Sequence, residues 1–484
     1  MSASVTHSRP REPIRESLRI AGEKVSHDRV IEIRHPYSGE LAGTVPKATP
    51  GDVKRALRIA RSFRSALTRH DRYQILMKAG AIIASRRDDL AHLITLESGL
   101  CLKDSYYEVG RASDVLLFAA NQALVDDGEV FSCDLTSYGK SRKVYTLKEP
   151  LLGAITAITP FNHPLNQVIH KVAPAVATNN RVVLKPSEKT PLTAFALADI
   201  LYEAGLPPEM LSVLTGDPAE IADELLTSAD VDLVTFTGGV SIGKYIAARA
   251  VYKRQVLELG GNDPIIVLED ADLDEAATLA AGGSYKNSGQ RCTAVKRMLV
   301  QETVADRFVE LLVEKTRAVK YGDPFDPMMD MGTVIDEASA RRFEAVVDQA
   351  VAGGARLLMG NVRRGALYSP TVLDGITPDM TVVRHEIFGP VSPVIRFKTV
   401  DEAIRIANGT AYGLSSSLCT NRIDLITRFV RELQVGSVNV REVPGYRLEM
   451  TPFGGIKDSG LGYKEGVLEA MKSFCNTKTY SLPW

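Results

Sequence analysis

Between residues 153 and 251, strand-like and helix-like stretches alternate without a break. Short apolar runs at 153–159, 181–184, 211–214 and 231–237 are separated by helical segments at 164–178, 192–204, 219–226 and 241–251. Runs that are apolar throughout are buried on both faces, and a helix between two of them is a crossover connection. The chain is thereby held to a parallel, doubly wound sheet. Sheets of this kind take ligands outside the carboxyl ends of their strands. A second α/β region starts near residue 256, with strands at 264–268 and 298–301 and helices at 273–287, 305–319, 338–352, 400–408 and 422–433.

The rest of the chain frames these two regions. With 484 residues it is too long for a single core. Residues 1–28 are polar and read as a loose arm, and 30–45 as short strands around a turn at 36–39. Helices begin at 50, 71 and 88, and a long one over 102–125 carries Arg111 in its middle. Residues 137–148 are strand-like but hold Lys140, Arg142, Lys143 and Lys148, so they read as an exposed ribbon whose unpaired edges need a partner. The tail, 473–484, has similar composition.

Composition excludes several classes of function. A net charge of −1 gives no global field to recruit nucleic acid or an anionic membrane. Five scattered cysteines are an odd number, which argues against a disulfide framework and for a reducing compartment. No Cys/His cluster has metal-ligand spacing. The N-terminal residues lack the apolar segment of a secretory signal, and no apolar run approaches membrane-spanning length. A cytoplasmic location is expected.

Three turns carry chemistry. Residues 287–297 read NSGQRCTAVKR, with Cys292 next to Arg291 and close to Lys296 and Arg297. Nearby positive charge lowers a thiol's pKa and favours the nucleophilic thiolate. The run VLELGG places Glu258 among apolar residues at a strand end, before Leu259 and two glycines. A carboxylate in such surroundings tends to a raised pKa and can take a proton from water. In TPFNHP, Thr159 to Pro164, the Asn162 amide can donate to a developing oxyanion, with His163 beside it. A dinucleotide site is suggested by the turn from Phe236 through Gly238 and Gly239 to Gly243, where backbone can approach a pyrophosphate at a helix N-terminus. Its other half is Lys185 and Glu188, suited to ribose hydroxyls. A carboxylate there repels a 2′-phosphate, which favours NAD over NADP.

Taken together, NSGQRC, LELGG, TPFNHP, KPSE, FTGG…G, EIFGPV (386–391) and FGGIKDSGLG (453–462) occur in the order found in NAD(P)-dependent, non-acylating aldehyde dehydrogenases. The chain resembles that family from about residue 30 to its end. The resemblance implies the aldehyde dehydrogenase fold: a Rossmann-like cofactor domain (1–127 and 152–260), an α/β catalytic domain (261–470) and a small β oligomerisation ribbon (128–151 and 471–484), with the protein a homodimer or homotetramer. It implies that Cys292 attacks the aldehyde carbon, that Asn162 and the Cys292 N–H form the oxyanion hole, and that Glu258 activates the hydrolytic water. It likewise implies that Thr159, Lys185, Glu188, Phe236, Gly238, Gly239, Gly243, Leu259, Glu386 and Phe388 surround the cofactor. Gly239 departs from the serine that many members carry. Glu258 counts against a CoA-acylating enzyme, and the filled catalytic positions count against a silent scaffold.

Arg291 narrows the substrate. Few members place arginine directly before the nucleophile, and the variant resembles the branch acting on phosphate-like aldehydes. Arg111, Arg291 and Arg447, with His163, are expected to form a cluster for a doubly charged anion, because arginine forks bind such oxygens in bidentate fashion. Either Arg441 or Arg447 could supply the loop's contribution. Within the family the likeness is strongest to the branch oxidising phosphonoacetaldehyde with NAD. Glyceraldehyde 3-phosphate, sulfoacetaldehyde and succinate semialdehyde are the alternatives.

Overall fold

The strands between residues 153 and 260 do form one parallel sheet in the computed structural model, which describes residues 12–125, 128–463 and 465–483. Its order is Arg254–Glu258, Val231–Thr237, Ala154–Ile158, Val182–Lys185 and Leu211–Val213, all parallel. The chain enters at Ala154–Ile158, winds outward on one side through Val182–Lys185, and returns on the other side to Val231–Thr237. The winding reverses between Ala154–Ile158 and Val231–Thr237, and a crevice opens there beyond their carboxyl ends. Residues 159–163 and 237–239 border that crevice.

The N-terminal arm departs from expectation. Residues 1–11 lie outside the described residues, but 12–28 are not loose. Leu18–Ile20 joins the far edge of the sheet antiparallel to Leu211–Val213, and Glu23–Val25 folds back on it. Leu18, Arg19 and Ile20 are almost fully buried. Arg19 is neutralised there by Asp199, at 2.8 and 2.7 Å, and by Glu16. Three-residue strands show no periodicity, and the partner of this arginine is remote in the chain.

A second sheet of seven strands runs Arg356–Met359, Thr371–Asp374, Val391–Phe397, Arg297–Gln301, Pro264–Val267, Ser415–Cys419 and Ser437–Val440. Every neighbouring pair is parallel except the first. The helix Val467–Ser473 packs into the first core, with Val467, Ala470 and the following Phe474 buried there.

The expected ribbon strand is Arg142–Pro150, and its edges are not unpaired. Val130–Ser132 covers one and Cys475–Pro483 the other, with Tyr145 stacked on Tyr480 at 5.1 Å. The longer open edge is Cys475–Pro483, one of the two outer strands, with Val130–Ser132 the other. Trp484 lies outside the described residues. Among the described residues no helix is long and apolar enough to cross a membrane.

The helix Leu102–Ala123 positions the site. Asp104, Glu108 and Arg111 fall at i, i+4 and i+7, one face of a helix, and this face turns inward. Asp104 and Glu108 are buried.

Candidate active site

The crevice opens into a cavity of about 640 Å³ whose walls include Lys185, Glu188, Ala222, Ile242, Phe388 and Cys292. Its floor is the turn into the helix Val240–Arg249. A Cβ on Gly238 would stand 2.4 Å from the Phe236 ring, and one on Gly243 would stand 2.4 Å from Leu259 Cδ2. At both positions a side chain would force that neighbouring side chain to move, so glycine suits the close approach. A Cβ on Gly239 would meet nothing, so the missing serine there is not a steric matter. Lys185 donates to Glu188, and both face the cavity. Thr159 belongs to the same wall. A close backbone turn, a helix N-terminus, a Lys/Glu pair and an apolar slot fit a dinucleotide. Nearer Cys292, the Glu386 carboxylate accepts from Gly261 N and lies against Lys296 Nζ, both at 3.1 Å. Phe388, at φ +61°, meets Phe161 edge-on at 5.9 Å.

Cys292 is delivered by a left-handed run. Asn287, Ser288 and Gly289 have φ of +60°, +54° and +70°. Gly289 is compelled, because a Cβ there would lie 2.4 Å from the Gly389 carbonyl. The run is pinned by Asp104, which accepts from Asn287 N at 2.7 Å, and by the Asn287 amide, which donates to Asn162 O at 2.8 Å. Asn162 is thus beside the cysteine loop, but its own amide donates to Gln290 O at 2.8 Å. Glu258 is buried at the last position of the strand Arg254–Glu258.

The expected lowering of the Cys292 pKa is not found. Burial pushes the thiol up to about 11, against the pull of Lys296 and Arg447. Lys296 spends its ammonium on Cys292 O at 2.5 Å and on Glu386. Arg297 turns away and donates to the carbonyls of Asn262, Ile406 and Ala407. Sequence proximity put these bases beside the sulfur, but local backbone directs them elsewhere.

Beyond Cys292 lies a cluster of positive charge. Arg291 donates through Nη2 to Gly283 O at 2.6 Å, and Arg111 pairs with Glu449. Arg447 lies over the Phe453 ring at 3.8 Å. Arg441 faces outward to Glu275, so the contribution of this loop comes from Arg447. His163 does not add a charge. Burial first, then Arg111, Arg291, Lys286 and Arg447, hold its pKa well below the usual value, and the ring is a neutral hydrogen-bonding group. Three buried atoms of this cluster have no hydrogen-bond partner among the described residues: His163 Nδ1, Arg291 Nε and Arg447 Nη1.

The aldehyde dehydrogenase family profile matches residues 23–480. The chain belongs to the aldehyde dehydrogenase family. Among its relatives, the 3-sulfolactaldehyde dehydrogenase of Priestia aryabhattai is 39% identical over 456 residues, 94% of this chain and 95% of that protein. Aldehyde dehydrogenase 21 from Physcomitrella patens, solved with the reaction product succinate, superposes with a TM-score of 0.94 at 33% identity over 98% of this chain and 99% of that one. The glyceraldehyde-3-phosphate dehydrogenase GapN of Methanocaldococcus jannaschii, complexed with NADP, does so at 0.90 and 35% identity over 95% and 100%.

This aldehyde dehydrogenase also holds site residues that its sequence did not disclose. Glu449 anchors Arg111 and accepts from His170 at 2.6 Å. Burial pushes its carboxyl up, yet His170, Arg111 and Arg447 together hold it well below the usual carboxylate range. Glu108 accepts from the backbone N–H groups of Leu165 and Asn166, at 2.8 and 2.9 Å, directly after the Asn162–His163 turn. Lys286 stands over the Tyr107 ring, its nitrogen 3.1 Å from the centroid. Only Lys286 had a signal in the sequence, since it directly precedes the motif that holds the cysteine.

Proposed function

We propose that this aldehyde dehydrogenase oxidises a small aldehyde with an anionic head group, using NAD, and that phosphonoacetaldehyde, giving phosphonoacetate, is its substrate. The observation that carries this reading is the group of three buried, unpartnered nitrogens beyond Cys292: the guanidinium donors Arg291 Nε and Arg447 Nη1, and His163 Nδ1, which donates in one tautomer of the neutral ring. Buried polar atoms are normally satisfied, and orphans gathered at one spot call for a ligand with several acceptor oxygens. Support also comes from the relatives, whose names specify a sulfonated aldehyde, a phosphorylated aldehyde and a dicarboxylate product. His163, neutral and beside Asn162, shortens the pocket and suits a two-carbon chain. Glu188, bonded to Lys185, favours NAD.

In this reading Lys185, Glu188 and Glu386 hold the ribose hydroxyls, and the turn at Gly238 and Gly243 lies under the pyrophosphate. Bound NAD supplies the acceptor for the aldehyde's hydride. Cys292 Sγ loses its proton to water and attacks the carbonyl carbon. The Asn162 amide, released from Gln290 O, and the Cys292 N–H hold the resulting oxyanion. Glu258 takes a proton from the water that frees the acid from the cysteine. The arginines and His163 fix the head group so that the carbonyl meets the sulfur. We assign cofactor binding to the unit built on 152–260, thioester chemistry to 261–470, and self-association into dimers or tetramers to the ribbon.

The test is NADH or NADPH formation with phosphonoacetaldehyde, sulfoacetaldehyde, succinate semialdehyde, glyceraldehyde 3-phosphate and propanal. A preference of about a hundredfold or more for phosphonoacetaldehyde with NAD over propanal is expected. Equal rates with propanal would dismiss the anion pocket. A clear lead for glyceraldehyde 3-phosphate with NADP would overturn both the substrate and the cofactor.

A further inference from the structure

If the pocket takes an anionic aldehyde, the reading on which this inference rests, its residues also bear on how many charges the head group carries. Lys286 ends the helical path that begins with Leu273–Tyr285, directly before the left-handed run that delivers Cys292. The abrupt change of backbone sends its side chain toward the helix Leu102–Ala123, where the ammonium rests on the face of Tyr107. Arg111 approaches the same ring at 5.9 Å. Among the described residues the Lys286 ammonium forms no hydrogen bond and no ion pair, and the backbone N–H donates to Gly282 O. It faces Lys103, Asp104, Tyr107 and Arg111 on that helix, Arg291 on the cysteine loop and His163 on the opposite turn.

The one carboxylate that Lys286 faces, Asp104, is engaged by Asn287 N–H, and a lysine kept among arginines in this way is unfavourable unless a ligand repays it. The local charges show what kind. Lys103 is offset by Asp330 at 2.8 Å; of the rest, Arg111, Lys286, Arg291 and Arg447 supply four positive charges, and Glu449 and Asp104 oppose them with two. Both histidines in the cluster, His163 and His170, have lowered pKa values. Glu108, pushed up to about 7 by burial, removes at most a further part. The excess approaches two positive charges and matches a dianion. A sulfonate or carboxylate carries one negative charge, whereas a phosphonate or phosphate carries two. With Arg291, Arg447 and His163 left to hold the first charge, we propose that Lys286, seated on Tyr107, recognises the second negative charge of the head group and so selects dianionic aldehydes over monoanionic ones.

The experiment compares kcat/KM for phosphonoacetaldehyde and sulfoacetaldehyde, which differ chiefly in that charge, in wild type, Lys286→Met and Lys286→Arg. Loss of one charge-assisted contact should lower the phosphonate value about ten- to a hundredfold in Lys286→Met. The sulfonate value should fall less than about threefold, and Lys286→Arg should restore most of the ratio. Equal losses for both substrates, or none for either, would overturn the proposal while leaving the anion pocket standing. A wild type that takes propanal as readily as both anions would overturn the pocket and Lys286's role together. Should Lys286→Met fail to fold, the wild type's own profile decides. Burial, then Arg291 and Arg111, push the Lys286 pKa down to about 8. The phosphonate-to-sulfonate ratio must therefore fall as pH rises through about 8, and a flat ratio refutes the assignment.

Discussion

At Cys292, burial acts against the cations Lys296 and Arg447, and burial, helped by Asp263 and Glu386, wins. The thiol's pKa is pushed up to about 11, so without cofactor almost all of the sulfur is protonated near neutral pH. Iodoacetamide alkylation of the cofactor-free enzyme should accelerate about tenfold per pH unit from neutrality upward, because only the thiolate reacts. A plateau below pH 8 would show that the resting sulfur is already ionised. The arginines separate in the same way. Arg447→Ala should lower kcat/KM for an anionic aldehyde about ten- to a hundredfold, through a lost charge-assisted contact. Arg441→Ala should change it less than about twofold, since Arg441 is paired outside with Glu275. Steady-state rates of the two variants decide. The sequence placed both arginines in one loop and could not separate them, because the choice depends on Glu275, a partner distant in the chain. Lys286 was passed over for a similar reason, since its meaning lies in Tyr107 on another helix.

The helix Leu102–Ala123 works as a single element on both sides of the chemistry. Asp104 pins the backbone that leads to Cys292, and Glu108 pins the turn that carries Asn162 and His163. Its periodicity was legible in the sequence, but its inward carboxylates were not, because acidic residues on a helix ordinarily face water. Removing the cap with Glu108→Ala should cost about 1–2 kcal/mol of stability and lower kcat with the same substrates. The Glu108 carboxyl is pushed up to about 7 by burial, and its Oε2 has no partner among the described residues. A carboxyl whose folded pKa is raised stabilises fully below the ordinary carboxylate range and loses that contribution as pH rises through about 7. Melting temperatures should fall across that window, and Glu108→Gln, which imitates the protonated form, should flatten the fall. A slope unchanged in Glu108→Gln would assign it to other groups. Gly289 sets the other limit of precision. Gly289→Ala forces a Cβ into the Gly389 backbone and should cost about a hundredfold in kcat through displacement of the sulfur. Wild-type turnover in that variant would mean that the loop has room to move.

For the molecule as a whole, the parallel sheet was legible because its strands are apolar throughout, and the ribbon because charge and strand pattern coincide. The edge strands at Leu18–Ile20 and Glu23–Val25 were not, being too short to show a pattern and dependent on Asp199 for the charge of Arg19. The open edge of Cys475–Pro483 is the place where a second chain would add, so sedimentation of the intact protein should show two or four chains, and a lone chain would remove the ribbon's assigned role. The N-terminal edge has a further consequence in time. Leu18–Ile20 is made early in synthesis, but its partner strand Leu211–Val213 and its counter-ion Asp199 leave the ribosome nearly two hundred residues later. These early strands therefore cannot be seated in their sheet until Leu211–Val213 has been made. Until then the growing chain carries Arg19 with only Glu16 to offset its charge, beside two bare aliphatic side chains, which makes that interval the one in which a holding chaperone has most to protect.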